Sequence, residues 1–224
     1  MDWQAISLSI RLSVLTTCAL VVIGLPLAYW LSFTRWRWKF LVEAVVALPI
    51  VLPPTVLGFY VLIAIGPRSS FGQVYEALTG QLLPFSFQGL LVASVLYSLP
   101  FAVQPFAAAV STVDRKLIET SWCLGVSRRA TFFRVILPLA WPGVVAGMVL
   151  SFAHTLGEFG VVLMIGGNLP GITRTISISI YDDVQALNYA AAGTTAMAML
   201  VFSFLVLALT YAIQRKAFSV WPTN

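Results

Sequence analysis

The sequence predicts an all-α membrane protein, and three observations lead to that fold class. Hydrophobic residues make up 59% of the 224 residues and charged residues only 9%, with a mean hydropathy of +0.93, whereas about a quarter of the residues in soluble domains are charged. The apolar residues form uncharged runs of membrane-spanning length, and lysine and arginine collect in alternate connections between these runs. We therefore expect one polytopic helical bundle that takes up residues 1–224.

Five of the apolar runs are long enough to cross a bilayer. A span needs about 20 apolar residues, because lipid offers no partner for backbone amides and a helix satisfies them internally. The sequence predicts spans near residues 10–34, 44–66, 87–110, 135–157 and 190–213. The run 159–173 starts apolar but is interrupted by Gly166-Gly167-Asn168 and by Pro170-Gly171. We expect a short membrane-edge element there.

The basic residues predict the orientation of these spans, because short connections rich in lysine and arginine stay in the cytoplasm. If the first span runs from outside to inside, the cytoplasmic side receives most of the basic residues, namely Arg35, Arg37, Lys39, Arg115, Lys116, Arg128, Arg129, Arg134, Arg215 and Lys216. We expect a multi-pass protein of the cytoplasmic (inner) membrane with its N-terminus outside and its C-terminus in the cytoplasm. The same bias explains the net charge of +5, so no nucleic-acid partner is expected.

The sequence holds no recognisable set of catalytic residues. It has one histidine, no carboxylates paired at a workable spacing and no Gly-x-x-x-x-Gly-Lys-Ser/Thr phosphate loop. We expect no catalytic residue, no metal site and no cofactor bound by this chain, so that any use of ATP and magnesium belongs to a partner. A stand-alone channel or a membrane enzyme remains an alternative, although the missing catalytic set counts against the enzyme.

The charged connection at residues 111–134 carries a helical pattern. Ile118, Trp122 and Val126 recur at steps of four, which predicts a short amphipathic helix. We expect Gly125 to end this helix and Ser127 to cap the next one. A helix that lies on lipid head groups would show the same pattern.

This connection resembles the EAA loop of permease subunits of ATP-binding-cassette (ABC) importers. That motif reads Glu-Ala-Ala, three residues, Gly, nine residues, Ile, one residue and Leu-Pro. The matching positions are Glu119, Gly125, Leu137 and Pro138, while Thr120 and Ser121 replace the two alanines and Val135 replaces the isoleucine. The resemblance identifies residues 111–134 as a coupling loop.

In that family the loop forms a coupling helix that sits in a groove of the ATPase subunit. The resemblance implies that Glu119 makes a polar contact with the ATPase and that Thr120 and Ser121 form a close-packing surface. It also implies that Trp122 and Leu124 act as apolar anchors. Gly125 would supply the turn that needs no side chain.

Other segments resemble the oxyanion branch of the family, which handles molybdate, tungstate and sulfate. They are Pro26-Leu27-Ala28-Tyr29-Trp30, residues 48–58 and Leu156-Gly157-Glu158-Phe159-Gly160, while residues 167–175 with Ile180-Tyr181 look most like molybdate permeases. The resemblance implies the type I ABC importer permease fold and molybdate import. It also implies three kinds of partner: a second copy of the chain, two cytoplasmic ATPase subunits and an extracytoplasmic binding protein. A sulfate, thiosulfate or tungstate importer remains the alternative.

The second predicted span contains three prolines that mark a candidate pathway. Pro49, Pro53 and Pro54 remove backbone hydrogen bonds and kink or unwind a helix, and such breaks are tolerated where they line a cavity or contact other helices. A packing kink is the alternative interpretation. Thr55 lies just past the break, where its hydroxyl could meet a passing oxyanion.

Glu158 is the only acidic residue in a long apolar region. A carboxylate at the membrane edge is expected to be paired, solvated or functional. Because Gly157 and Gly160 flank it, we interpret these three residues as a gate or hinge near the outer mouth. The alternative is an interfacial carboxylate that faces water. For His154, one turn earlier, we expect a hydrogen bond between packed helices.

Overall fold

The computed structural model describes residues 2–219, and all regular secondary structure in this part of the chain is helical. A π-helical turn, Phe132–Ile136, joins α7 to α8. The helices are α1 (Trp3–Phe33), α2 (Lys39–Val51), α3 (Pro54–Ile65), α4 (Ser70–Thr79), α5 (Phe87–Ser111), α6 (Arg115–Cys123), α7 (Arg128–Thr131), α8 (Leu137–Gly157), α9 (Gly160–Gly166), α10 (Ile176–Gln185) and α11 (Tyr189–Ser219). The predicted all-α class is confirmed.

Four helical stretches are long and apolar enough to cross a membrane: α1, α5, Arg128–Gly157 and Tyr189–Ala212. The first of them starts at Trp3 and not near residue 10, because the carboxylate of Asp2 accepts hydrogen bonds from the amides of Gln4 and Ala5 and caps the helix. The helix therefore extends a little over two turns beyond the uncharged run.

The span expected over residues 44–66 is a bent pair of helices in the structure. The chain bends by 116° between α2 and α3, so a single continuous helix is not formed. Pro53 and Pro54 lack amide protons, and Leu52 has the extended backbone that a following proline imposes. Pro54 then opens α3, a position that suits proline. The pair is either one broken span or a re-entrant loop.

The centre of the protein is a three-helix bundle of α1, α5 and α8. Helix α5 runs parallel to α1, because Gly24 faces Val103 and Ser32 further along α1 donates to the carbonyl of Ala107. It runs antiparallel to α8, because Gly147 faces Phe106 while His154 further along α8 bonds to Ser98. The ring of Phe106 is fully buried between the two neighbours. Small residues at these crossings allow the helices to approach closely, as is common in membrane bundles.

The short element predicted over residues 159–173 contains α9, which has seven residues. Helix α9 is too short to span a bilayer, as expected, yet its Val161 and Ile165 are fully buried against Val61 and Ala93 of neighbouring helices. Neighbouring helices therefore cover α9, whereas the irregular residues 168–172 that follow it are exposed.

Two groups of charged residues mark opposite ends of the bundle. At one end Arg174 lies 3.2 Å from the carboxylate of Asp182 and 3.9 Å from that of Asp2, and it donates a hydrogen bond to Asn168. This network joins the start of α1 to α10 and to the segment after α9. At the other end, α1 and α5 finish and α8 starts, so the basic residues near 35, 115 and 128 gather there.

Candidate coupling loop and pathway residues

The predicted amphipathic helix is α6, and its two ends are fixed by local hydrogen bonds. The carboxylate of Asp114 accepts from the amide of Lys116 at 2.9 Å. At the other end Gly125 has φ +77°, its amide donates to the carbonyl of Trp122, and the amide of Val126 donates to the carbonyl of Ser121. These two bonds form a Schellman motif, in which the left-handed residue is usually glycine. The expected stop at Gly125 is confirmed.

The expected cap at Ser127 is also confirmed. Its hydroxyl accepts from the amide of Ala130 at 3.3 Å and starts α7. The chain therefore turns twice within a few residues, from α6 through Gly125 to α7. This double turn holds α6 at one end of the bundle, directly before α8.

Most of the implied docking residues lie on the outer surface of α6. Leu124 is 77% exposed and Trp122 is 42% exposed, and Glu119, Thr120 and Gly125 are also exposed. An exposed mixture of aromatic, aliphatic and acidic groups on one short helix is a surface that a protein partner can bury.

Ser121 differs from the other residues of this set, because its side chain faces the inside of the protein. Its hydroxyl forms a hydrogen bond of 2.8 Å with the hydroxyl of Thr131 and contacts the carbonyl of Ile118. Ser121 therefore lies on the inner face of α6, where it packs inside this chain. The bond ties α6 to the segment that leads into α8.

Leu137 and Pro138 stand where the loop joins the membrane span. The amide of Leu137 donates to the carbonyl of Phe132, five residues back, which closes the π-helical turn. Pro138 follows at the start of α8. It has no amide proton to donate, and the π-helical turn lies directly before it. Ile136 is buried in the central bundle, which anchors this junction.

The structure brings part of the predicted pathway set together. A Cβ atom added to Gly160 would lie 2.8 Å from Cβ of Pro54, and one added to Gly58 would lie 2.8 Å from Cβ of Met164. Helix α9 is therefore packed directly against the start of α3. The segment after Glu158 thus contacts the break between α2 and α3.

The other predicted pathway residues are placed differently. Pro49 is buried, whereas Pro53, Pro54 and Thr55 are exposed on this chain. A Cβ atom on Gly157 would meet nothing within 4 Å. Pro53 and Pro54 therefore lie on the surface of this chain, and no other described residue packs closely against Gly157.

Glu158 is buried at the end of α8, with only 4% of its surface exposed. The alternative of a carboxylate that faces water is therefore overturned. The hydroxyl of Ser94 on α5 lies beside this carboxyl group, yet neither side chain has a hydrogen-bond partner of ordinary geometry in the described part of the chain. An ionisable group buried without a partner is costly and marks a functional candidate.

A layer of polar side chains between α5 and α8 escaped the sequence analysis. Ser98 lies 2.9 Å from Nδ1 of His154 and 2.9 Å from the hydroxyl of Thr155, and the imidazole stacks on Phe101 at 3.8 Å between ring centroids. The packing role expected for His154 is confirmed. Ser94 and Ser98 are one helical turn apart, so their spacing was a signal available in the sequence.

Together these features define the class of protein. It is a polytopic membrane protein with a buried polar layer, a broken helix pair and an exposed helix presented at one end. Among residues 2–219 no group of three or more histidine, cysteine or acidic side chains is arranged to hold a metal ion. The chain belongs to the family described as binding-protein-dependent transport system inner membrane component, whose model matches residues 21–219.

Relatives of known name match most of the chain. The molybdenum transport system permease protein ModB of Azotobacter vinelandii is 51% identical over 214 residues, which are 96% of this chain and 95% of that protein. ModB of Escherichia coli K12 is 36% identical and covers 82% of this chain and 80% of its own length. A probable sulfate transport system permease protein of Chlorella vulgaris is 34% identical, over 83% of this chain and 69% of its own length.

Solved structures show the same fold at lower identity. The MetNI methionine ABC transporter in an inward-facing conformation matches with a TM-score of 0.75 and 18% identity, over 96% of this chain and 95% of that chain. A bacterial alginate ABC transporter in complex with an alginate-bound periplasmic protein matches with a TM-score of 0.76 and 17% identity, over 96% of this chain and 78% of that chain. The predicted ABC importer permease fold is confirmed.

Proposed function

We propose that this chain is the membrane-spanning permease subunit of an ATP-driven importer that carries molybdate across the cytoplasmic membrane by alternating access. The observation that carries this proposal is the 51% identity to a molybdenum permease over 96% of the chain. The confirmed fold and the exposed helix α6 agree with it. The chain itself is not an enzyme, and the ATPase activity belongs to a partner subunit.

The proposed assembly contains two copies of this chain, two cytoplasmic ATPase subunits and an extracytoplasmic binding protein. One of the structural neighbours is a transporter bound to a periplasmic protein, which supports this kind of partner. The single chain leaves a large apolar surface: only 12% of the most apolar window of α11 is buried, and Val51, Phe59 and Tyr60 on α2 and α3 are exposed. Lipid and the second copy would cover these faces.

The proposed orientation places α6 in the cytoplasm and the N-terminus outside. The structure gathers basic residues at the end that carries α6, and the positive-inside rule assigns that end to the cytoplasm. The opposite end, with the network around Arg174, would then face the binding protein.

The geometry also supports a route by which docking at α6 acts on the pathway. Movement of α6 would pass through the bond between Ser121 and Thr131 and the π-turn to α8. Helix α8 ends beside Glu158, and α9 then contacts the break at Pro54. A chain of packed elements between the two ends offers a physical path for coupling.

Charge reversal at Glu119 tests the docking role. We expect Glu119→Lys to abolish uptake and to prevent copurification of the ATPase, because a lysine would place the wrong charge in the interface. Radiolabelled molybdate uptake and a pull-down are the measurements. Glu76→Lys is the matched control, since Glu76 is an exposed acid on α4 far from the loop. Normal uptake by Glu119→Lys would contradict the role of α6.

The cargo is tested by competition. We expect unlabelled molybdate and tungstate to compete strongly with labelled molybdate in cells that express the complete importer, and sulfate to compete weakly. Strong inhibition by sulfate alone would assign the chain to the sulfate alternative, which the Chlorella relative represents. A chain that transports molybdate without any copurifying ATPase would instead be a stand-alone channel.

A further inference from the structure

A cavity of about 450 Å³ lies between the end of α1 and helix α6. Its lining combines two kinds of side chain. The aromatic and apolar part comes mainly from the end of α1, and the charged part comes from the α1–α2 connection, from α6 and from α7. The lining residues used below are Tyr29, Trp30, Arg35, Arg115, Trp122 and Arg128.

The three arginines give this cavity an excess of positive charge. Arg35, Arg115 and Arg128 face one acidic side chain, Glu119, and within the described part of the chain none of the three lies within 4.0 Å of a carboxylate oxygen. The guanidinium of Arg128 lies 5.5 Å from the ring centroid of Trp122, which restricts its orientation. Three guanidinium groups around one cavity match the oxygen atoms of a phosphate-class anion.

The aromatic lining indicates where that anion comes from. Trp30 is 39% exposed and packs beside Trp36 at 6.0 Å between ring centroids, at the point where the apolar helix α1 ends. Tryptophan at the end of a span sits at the level of lipid head groups. A free anion would gain nothing from this apolar wall, whereas the glycerol and acyl portions of a lipid would pack against it.

We propose that this cavity binds the phosphate head group of an anionic phospholipid, with Arg35, Arg115 and Arg128 as the contacting side chains. The lipid lies between α1 and the coupling helix and fills the space beneath α6. Glu119 and Trp122 line this cavity and also belong to the surface on which we propose that the ATPase docks, so the lipid site adjoins the docking surface. It links the lipid composition of the cytoplasmic leaflet, where anionic lipids attract basic segments, to the position of α6.

The test compares two double variants that remove the same amount of charge. Arg35→Gln/Arg128→Gln changes the cavity, whereas Arg37→Gln/Arg129→Gln changes the neighbouring arginines, which do not line it. The full chain is purified with its copurifying subunits, stripped of lipid and titrated with phosphatidylglycerol or phosphatidylcholine, and bound lipid is measured by native mass spectrometry. We expect the wild type to prefer phosphatidylglycerol. The cavity variant should lose about fivefold in affinity for each charge removed, while the control keeps the wild-type affinity.

Three outcomes would overturn the proposal. The first is an equal loss in both double variants, which would indicate only a general attraction to the basic surface. The second is equal binding of the two lipids by the wild type. The third is complete displacement of phosphatidylglycerol by inorganic phosphate or molybdate, which would assign the cavity to a free oxyanion. The single variants Arg35→Gln and Arg115→Gln are measured as well, so that a double variant that fails to fold still leaves the comparison with Arg37→Gln.

Discussion

The coupling loop and the region around Glu158 differ in whether their polar side chains have hydrogen-bond partners. In the loop, which is mostly exposed, Asp114, Ser121 and Ser127 all have a hydrogen-bond partner two or three residues away in the chain. Around Glu158, which is buried, the carboxylate and the neighbouring Ser94 have no partner in the described residues. The polar groups of the loop are thus satisfied by nearby residues, whereas the region around Glu158 buries polar groups that lack hydrogen-bond partners. A partner, a ligand or another conformation would have to satisfy them.

The difference matches the proposed roles of the two regions. A surface that docks a partner must hold one shape, so its turns are fixed by caps and by a glycine stop. A gate must change shape, and unsatisfied buried groups lower the cost of leaving the arrangement that holds them.

Gly125→Val should abolish uptake while membrane insertion stays normal. A β-branched residue at φ +77° strains the backbone by about 1–2 kcal/mol, which would dismantle the Schellman turn and misplace α6. Gly125→Asn is the matched control, because asparagine tolerates the left-handed conformation and a Cβ atom meets nothing within 4 Å there. Uptake assays with quantified membrane levels provide the measurement. If both variants transport equally well, the turn does not set the position of α6.

Gly160→Ala should destabilise the contact between α9 and α3. Its Cβ atom would lie 2.8 Å from Cβ of Pro54, and overpacking of this kind costs about 1–3 kcal/mol. Gly157→Ala is the control, since its Cβ atom would meet nothing within 4 Å and alanine favours the helix by about 1 kcal/mol. Thermal unfolding of the two purified variants compares them directly. Equal unfolding temperatures would show that α9 and α3 can move apart enough to accommodate the added methyl group.

Glu158→Gln should separate stability from transport. Glutamine keeps the size of the side chain, adds donors for Ser94 and removes an ionisable group that has no partner, so the midpoint of thermal unfolding should not fall. Uptake should nevertheless drop by more than about fivefold, the lower end of typical coupling effects. Ser94→Ala tests the same site by removing the hydroxyl beside the Glu158 carboxyl group. A variant that transports like the wild type would remove Glu158 from the gate.

Ser121→Ala should give the smallest effect. It breaks the hydrogen bond with Thr131, which is worth about 1 kcal/mol, and leaves the outer surface of α6 unchanged. We expect a decrease in uptake of about fivefold or less. A double-mutant cycle with Thr131→Val measures the coupling between the two hydroxyl groups. Strictly additive effects would show that the bond does not connect α6 to α8.

The sequence predicted those parts of the fold that depend on local rules. Apolar length predicted the four long helices, glycine at position 125 predicted the end of α6, and Ser127 predicted the cap of α7. The matched positions of the loop predicted the family, which the comparisons confirmed. These features depend on residues close together in the chain, so a single sequence was sufficient.

Other features depended on which helices become neighbours. The prolines predicted a break after α2, but the bend of 116° and the contact of Pro54 with Gly160 needed the packed structure. The inward orientation of Ser121 and the burial of Glu158 are further examples, since both residues look like surface or membrane-edge positions in a one-dimensional reading. Burial is a property of the surrounding helices and not of the residue.

The sequence by itself therefore determined the membrane class, the positions of the long helices and the local geometry of the coupling loop, because hydrophobic length and turn chemistry act over short distances along the chain. The tertiary structure alone decided that Glu158 lies beside Ser94, that α9 closes on the broken pair, and that three arginines surround one cavity. Those arrangements join residues far apart in sequence, so they depend on which helices pack against one another and not on local rules.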